Sequence, residues 1–509
     1  MILTTSQAYE LENKTVHKLP ISSCGLMYNA GESVAQKAIE MIGDDKNVHI
    51  FIICGKGNNG GDGFATGASL AKKKNKVIIH SIVNKKSILG DPLKYHNKCK
   101  KMNIPITYGK HFPKINNPEI IIDGLIGIGL KGNVRREILL WINWINDFNS
   151  KILSIDIPSG LNSSSGVAKP ASVKAHTTIT FGAEKVGMLF RNGPKYCGNV
   201  HISDIGFLPI DESNIPGITW KKLSEKNVKS FFSKPRLDLN KYSAGKVLII
   251  AGSRGMTGAA ILSTMAALRS GAGLTITTSL KSLNNIYESA IIEGITLCLN
   301  DNDNGFLDES HYSSIMEKVQ WSDSILIGPG LGTNKSTLNL IKLLVQNINK
   351  PLVLDADGFY PYKNKLSVLN EKKSPLVITP HFGELSKLTG YDKEFIISEF
   401  PKVLNKIGQG FNHTVLVKQI PNCIINKKRG IINTTGNQGL ATAGTGDVLA
   451  GLISGLIAQG YDSFSAAYLG SFIHGKASDM VSDIKGFRGQ VASDLLEMIP
   501  KVISAYEKS

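Results

Sequence analysis

The chain has 509 residues, 42% of them hydrophobic and 19% charged, which fits a globular protein of two or three domains and excludes a disordered or fibrous one. No run of roughly 18 apolar residues occurs, and the opening residues lack the basic-then-apolar order of a secretory signal, so neither a membrane span nor a leader is expected. The net charge of +17 comes from lysines scattered as in Lys72-Lys73-Lys74 and Lys427-Lys428-Arg429, without interleaved aromatics, which argues against a nucleic-acid partner. Six dispersed cysteines with no CxxC pair point to reduced thiols and a cytoplasmic address.

In chain order, residues 48–53 (VHIFII) read as a buried strand, followed by a glycine-rich loop and a helix from about Phe64 to Lys74. Residues 76–80 form the next strand, and residues 120–123 and 151–156 form two more, each closing on an aspartate. Strand, loop and helix in repetition predict an α/β fold with a parallel sheet covered on both faces, whose ligands sit beyond the carboxyl ends of the strands. Asp123 and Asp156 stand at that end. The pattern dissolves around residues 210–240 and restarts with a strand at 245–252, then others at 324–327, 351–355 and 376–379. Two α/β domains are therefore expected, 1–222 and 223–509.

The segment Gly55-Lys56-Gly57-Asn58-Asn59-Gly60-Gly61-Asp62-Gly63 contains G-x-G-x-x-G, a weak signal alone. A dehydrogenase also needs an acidic residue at the end of the second strand, where this chain has Ser81-Ile82-Val83-Asn84, so hydride transfer is disfavoured. The segment still suits a phosphate cradle, because glycines let backbone N–H groups approach an anion at a helix start. The plain alternative is a tight turn with Asp62 as a helix cap.

At these residues the chain resembles the YjeF amino-terminal family of NAD(P)H-hydrate epimerases, over most of residues 1–225. The resemblance includes Asp123-Gly124-Leu125-Ile126-Gly127-Ile128-Gly129-Leu130-Lys131-Gly132, Ser154-Ile155-Asp156-Ile157-Pro158-Ser159-Gly160-Leu161, Lys169-Pro170-Ala171 and Thr180-Phe181-Gly182-Ala183-Glu184-Lys185. It implies a Rossmann-like three-layer domain in which Asn58, Asn59, Gly60, Gly61 and Asp62, together with Gly127, Ile128, Gly129, Leu130, Lys131, Gly132 and Asn133, line the hydrated nucleotide. It further implies that Asn59, Asp123 and Ser159 bind a potassium ion and that Lys131 and Asp156 handle protons at C6 of the nicotinamide ring. Ile128 departs from the threonine expected there, which removes a hydroxyl contact.

In the second half, Ala441-Thr442-Ala443-Gly444-Thr445-Gly446-Asp447 leads into an apolar helix. Glycines at a helix start leave N–H donors free for a phosphate, and Asp447 stands where it could take a proton from a substrate hydroxyl; the alternative is an N-capping aspartate. This element is similar to the ribokinase-like fold, and in particular to its ADP-dependent NAD(P)H-hydrate dehydratases, from about Pro235 to Pro500. Supporting motifs are Ala251 to Ala260, Arg269 to Leu274, Ile327 to Gly332, Asp355-Ala356-Asp357-Gly358 and Thr379-Pro380-His381-Phe382-Gly383-Glu384. The resemblance implies that Ala259, Gly332, His381 and Asp447 contact the hydrate, and that Lys418, Gln419, Ile420, Pro421, Asn422 and Gly446 contact the adenine nucleotide, used as ADP with magnesium. Tyr360, Phe382 and the loop Gln419-Ile420-Pro421-Asn422 depart from the family pattern of asparagine, proline and a glycine-containing loop.

Together these readings imply a bifunctional enzyme that epimerises hydrated NAD(P)H and dehydrates the S form at the expense of ADP, giving AMP and phosphate. Its partners are small nucleotides, with no nucleic acid or membrane, and a homo-oligomer is expected. Two alternatives stay open: a small-molecule kinase of vitamin metabolism, and a non-catalytic amino-terminal binding module.

Overall fold

A computed structural model describes residues 1–43, 48–115, 118–130, 132–211, 213–232 and 234–507. They form two compact units, Met1–Thr219 with Ser398–Pro401, and Trp220–Ile397 with Lys402–Ser509.

Among the described residues of the first unit, seven strands form one sheet: β1 His49–Cys54, β2 Lys76–Ser81, β3 Ile106–Tyr108, β4 Ile120–Gly124, β5 Lys151–Ile155, β6 Thr177–Phe181 and β7 Asn199–Ser203. All pair in parallel, in the order β3-β2-β1-β4-β5-β6-β7. The order reverses between β1 and β4, and such a switch point opens a crevice at the carboxyl ends of the strands. Alternate residues of β1 feed opposite faces of the sheet. Ile50, Ile52 and Cys54 join Phe64, Ala68 and Tyr95 in one core. Phe51 and Ile53 join Trp141, Ile142 and Ile145 in another. The helices concerned are α1 Thr5–Lys18, α2 Ser23–Ile42, α3 Asn58–Lys72, α4 Asp91–Lys101 and α5 Arg136–Asn146.

The glycine-rich segment differs from its expected form. Only Gly55 to Gly57 are loop; Asn58 to Gly63, expected to precede the helix, are its opening turns. Close packing outweighs the poor helix propensity of glycine here. A Cβ on Gly60 would strike the Gly55 carbonyl, and one on Gly61 would lie 2.6 Å from the Met27 methyl. Likewise a Cβ on Gly55 would collide with the Leu125 carbonyl, so the loops after β1 and β4 meet only because this residue is glycine.

The second unit repeats the strand order. Its strands are β8 Lys246–Ile250, β9 Leu274–Leu280, β10 Ile295–Leu299, β11 Ser324–Ile327, β12 Leu352–Leu354, β13 Leu376–Ile378, β14 Thr414–Val417, β15 Asn422–Asn426 and β16 Arg429–Asn433. They run β10-β9-β8-β11-β12-β13-β14 in parallel, and β15 and β16 then add antiparallel. One face of this sheet, with Val247, Ile249, Leu326, Val353 and Val377, packs against α6 Thr257–Arg269, α9 Thr445–Ala458, α10 Ser463–Lys485 and α11 Ala492–Glu507. Two further helices, α7 Lys335–Asn347 and α8 Phe382–Thr389, follow β11 and β13.

Helices α6 and α9 approach closely because small residues face each other: a Cβ on Gly451 would run into the Ser263 carbonyl. Gly451→Ala is therefore expected to destabilise the second unit by about 1–3 kcal/mol through overpacking. Gly410→Ala, where a Cβ meets nothing within 4 Å, serves as the neutral control, and denaturant melts of the two variants check the difference.

Candidate functional site

At the switch point of the first unit lies a cavity of about 1260 Å³. Asn58, Asn59 and Asp62 line it from the start of α3, Gly127, Ile128, Gly129, Leu130 and Asn133 from the loop after β4, and Asp156 and Lys185 from the ends of β5 and β6. Gly60 and Gly61 face the fold instead, and neither they nor Gly132 line the cavity. Lys131, expected to share proton handling with Asp156, lies outside the described residues. The Ile128 side chain packs beside Leu3, Ala8 and Leu11, so the departure from threonine serves an apolar cluster.

Asp156 follows β5 in the left-handed region, at φ 62°, a strained conformation for a residue with a side chain. Its Oδ1 accepts from Lys185 Nζ (2.6 Å) and Thr180 Oγ1 (3.1 Å). Lys185 is 2% exposed and also donates to Thr180 Oγ1 (2.8 Å) and the Phe181 carbonyl (3.0 Å). Among the described residues the lysine that pairs with Asp156 is Lys185, a residue for which the sequence carried no role although it ends the Thr180–Lys185 motif. Tyr9 and Glu12 of α1 line the same cavity and were likewise not anticipated. Burial pushes Glu12 above the usual carboxyl range, with Asp156 adding and Lys185 opposing. Burial likewise pushes Asp62 well up, with Asp156 and Glu12 adding.

Asp123 is fully buried and accepts four hydrogen bonds, from Leu125 N–H (3.2 Å), Ser159 Oγ (2.6 Å), Ser159 N–H (2.9 Å) and Ser154 Oγ (2.9 Å). Burial raises its carboxyl against these donors, all of which are neutral. The Asn59 amide, in the orientation its neighbours require, donates to the Ile155 carbonyl (3.1 Å) and accepts from Gly127 N–H (3.3 Å). Asp123 and Ser159 thus meet around a buried carboxylate whose hydrogen-bond donors carry no charge, while the Asn59 amide is engaged by Ile155 and Gly127. Carboxylate and hydroxyl oxygens of this kind suit a hard cation.

In the second unit, Asp355 follows β12 and is also fully buried. Its Oδ1 accepts from Lys418 Nζ (2.7 Å) and Thr379 Oγ1 (2.7 Å), while its Oδ2 has no partner and lies 4.0 Å from where a Cβ on Gly446 would stand. The same hypothetical atom would sit 3.3 Å from Lys418 Nζ, so this ammonium faces the opening turn of α9. Gly444, at φ 87°, makes the turn into that helix. Burial raises Asp447, in its first turn, to about 6, with Asp355 adding and Lys418 opposing.

His381 caps α8: its Nδ1 accepts from Gly383 N–H (2.9 Å) and Glu384 N–H (3.2 Å), and Glu384 Oε2 accepts from His381 N–H (2.8 Å). Accepting at Nδ1 places the ring proton of the neutral form on Nε2. Glu384, raised by burial to about 7, lies 3.8 Å from Lys418 Nζ. Gly332 N–H donates to Asp357 Oδ2 (2.8 Å), and a Cβ on Gly330 would stand 2.9 Å from the Ala259 methyl. Ala259, Gly332, His381, Lys418, Gly446 and Asp447 are thus gathered at the strand ends. In the departing loop, Asn422 is buried and tied inward, accepting from Gln419 N–H (3.0 Å) and donating to Ser471 Oγ (2.8 Å), whereas Ile420 is exposed. Tyr360 lies under the Lys387 ammonium, 4.7 Å from ring centre to nitrogen.

Among the described residues no helix is long and apolar enough to cross a membrane. A family model described as YjeF-related protein N-terminus matches residues 23–187, and one described as NAD(P)H-hydrate dehydratase matches residues 247–501. Curated relatives match along the whole chain. The bifunctional NAD(P)H-hydrate repair enzyme of Dictyoglomus turgidum is 32% identical, over 99% of this chain and 98% of its own length. Those of Moorella thermoacetica and Escherichia coli are each 30% identical, covering 100% and 97% of this chain and 97% and 92% of their own lengths. With both halves matched in order and relatives aligned nearly end to end, the chain belongs to the family of bifunctional NAD(P)H-hydrate repair enzymes.

Proposed function

We propose that the first unit interconverts the R and S epimers of hydrated NAD(P)H and that the second dehydrates the S epimer with ADP, yielding NAD(P)H, AMP and phosphate. The observation that carries this reading is that both units close their strand ends on a buried lysine–aspartate pair, one beside a cavity large enough for a dinucleotide and one beside a glycine-started helix. The six free cysteines agree with a cytoplasmic address.

In the first unit Asp156, held against Lys185, is the carboxylate that takes the proton from the C6 hydroxyl. Asn59, Asp123 and Ser159 would hold potassium, whose charge would offset the buried carboxylate and fix the loop after β4. In the second unit Asp447 takes the proton of the ring hydroxyl as the terminal phosphoryl group of ADP transfers to that oxygen. Lys418 and the free N–H groups at Gly446 face the charge that develops. Loss of phosphate with the C5 proton then leaves the double bond. Asp355 Oδ2 and Glu384 are the oxygen donors that would hold magnesium, which neutralises phosphoryl charge when bound. Among the described residues no group of three or more His, Cys, Asp or Glu is placed to hold a metal ion.

The direct test mixes the protein with an equilibrated pool of both NADH-hydrate epimers, ADP, magnesium and potassium, and follows the reduced-nicotinamide absorbance. Full recovery of NADH is expected. A rapid partial recovery followed by a slow phase would mean that the first unit does not epimerise. Asp447→Asn should lower dehydration by about 10²–10⁴-fold and leave epimerisation intact; equal loss of both activities would contradict separate sites. Because Asp447 acts ionised, the dehydration rate at saturating substrate should fall as pH drops through about 6, and a rate flat down to pH 5 would rule it out as the base. Replacing potassium by choline at constant ionic strength should slow epimerisation alone, and an unchanged rate across the titration would undo the cation assignment.

A further inference from the structure

The cavity of the first unit contains more ionisable groups than one carboxylate and its lysine. Tyr9 and Glu12 enter it from α1, Asp62 from α3, Asp156 and Lys185 from the ends of β5 and β6, and Lys56 from the loop after β1. Helix α1 lies outside the residues that either family model matches, so its two contributions come from the structure alone.

The helix is fixed firmly enough to present a side chain. Thr4 and Gln7 form a capping box: Thr4 N–H donates to Gln7 Oε1 (3.0 Å) and Gln7 N–H donates to Thr4 Oγ1 (3.3 Å). Gln7 Nε2 also donates to the Pro216 and Ile218 carbonyls (2.7 and 2.8 Å), and Thr5 Oγ1 bonds to the hydroxyls of Ser163 and Ser164 (both 2.6 Å). Ala8, Leu11 and Thr15 are buried beneath it. Tyr9 and Glu12, three residues apart, share a face of the helix, and a Cβ on Gly129 would stand 3.2 Å from the Tyr9 hydroxyl. Glu12 thereby lines the same cavity as Asp156 and Lys185 and lies within the electrostatic reach of both.

Epimerisation at a carbon bearing both a hydroxyl and a ring nitrogen needs two proton carriers. As a base removes the hydroxyl proton, the C6–O bond becomes a carbonyl, the C6–N1 bond breaks, and its electron pair goes to N1, where a proton must arrive. Rotation about the C5–C6 bond presents the other face of the aldehyde. N1 then attacks, returns its proton to the donor, and the oxygen recovers its own. No oxidant, reductant or net proton is consumed. Asp156, neutralised by Lys185, can serve as base, but the donor must be a protonated group. Lys185 is committed to three acceptors.

We infer that Glu12 is this donor: its carboxyl protonates N1 as Asp156 takes the C6 hydroxyl proton. The assignment rests on the reading of the first unit as the epimerase. Burial and the neighbouring Asp156 favour a neutral Glu12, while Asp156 in the same cavity is held by the Lys185 ammonium at 2.6 Å, so the two carboxyls stand in different surroundings, as an acid–base pair requires. Tyr9, itself pushed up by burial and then by Glu12 and Asp156, stays neutral.

The test measures R-to-S conversion of purified NADH hydrate across pH, with thermal unfolding of each variant as the folding control. Glu12→Gln should lower the epimerisation kcat by about 10²-fold with KM little changed. The wild-type rate should fall as pH rises through the Glu12 titration, and this alkaline limb should be missing in Glu12→Gln. Glu12→Asp, which keeps the acid, should recover part of the rate together with the limb, which a purely structural loss would not give. Wild-type kcat and pH profile in Glu12→Gln would overturn the inference. Asp156→Asn separates the two readings: a dead Asp156→Asn beside a normal Glu12→Gln overturns only the role of Glu12, whereas an active Asp156→Asn overturns the reading of the site.

Discussion

A lysine ammonium buried against an aspartate carboxylate beyond the fifth strand is the constraint on which each unit is organised. Asp156 and Asp355 occupy the same topological position, the residue just after β5 and just after β12, and each is held by one lysine at 2.6–2.7 Å. Taking two charges out of water costs several kcal/mol per ion, and the attraction between them repays it only with good geometry and further hydrogen bonds. Thr180 and Phe181 provide those bonds around Lys185, and Thr379 provides one around Asp355. Such pairs do little for stability; they hold a charge in a fixed place inside the site. Much of the surrounding architecture serves to keep that place closed.

The repeated strand order explains why the two sites fall where they do. Parallel strands joined by right-handed crossovers put every strand-to-helix turn at the same edge of the sheet, and the reversal of order opens a crevice there. What differs is the use of the edge. In the first unit the crevice is a cavity walled by α1 and the loop after β4. In the second, the charged groups gather around the opening turn of α9, where unpaired N–H groups point outward. Carboxyl groups at these edges spread over different protonation tendencies, with Asp447 near 6, Glu384 near 7 and Asp62 well above its usual range, because burial acts on each and the neighbouring charges oppose it to different extents.

Glycine was informative in the sequence, but for a reason that only packing revealed. The run from Gly55 to Gly63 suggested a phosphate cradle ahead of the helix, yet most of it is helix, and its glycines clear space for the Gly55 carbonyl and the Met27 side chain. The unusual residues followed the same logic. Ile128, in place of a hydroxyl, completes an apolar cluster with the amino-terminal residues. Asn422 makes hydrogen bonds to Gln419 and Ser471 that secure the turn between β14 and β15.

By itself the sequence determined the fold class and offered the strand-end aspartates as candidate acids, because strand periodicity, strand-end aspartates and glycine-to-helix junctions are local signals carried by neighbouring residues. Asp123, Asp156 and Asp447 were legible on those grounds. The pairing of Lys185 with Asp156 spans 29 residues and that of Lys418 with Asp355 spans 63, and Glu12 reaches the cavity from a helix that no motif marks. Tertiary structure alone decided these, since which cation neutralises which carboxylate, and which carboxyl stays protonated, depends on burial and on the charges that distant segments bring within reach.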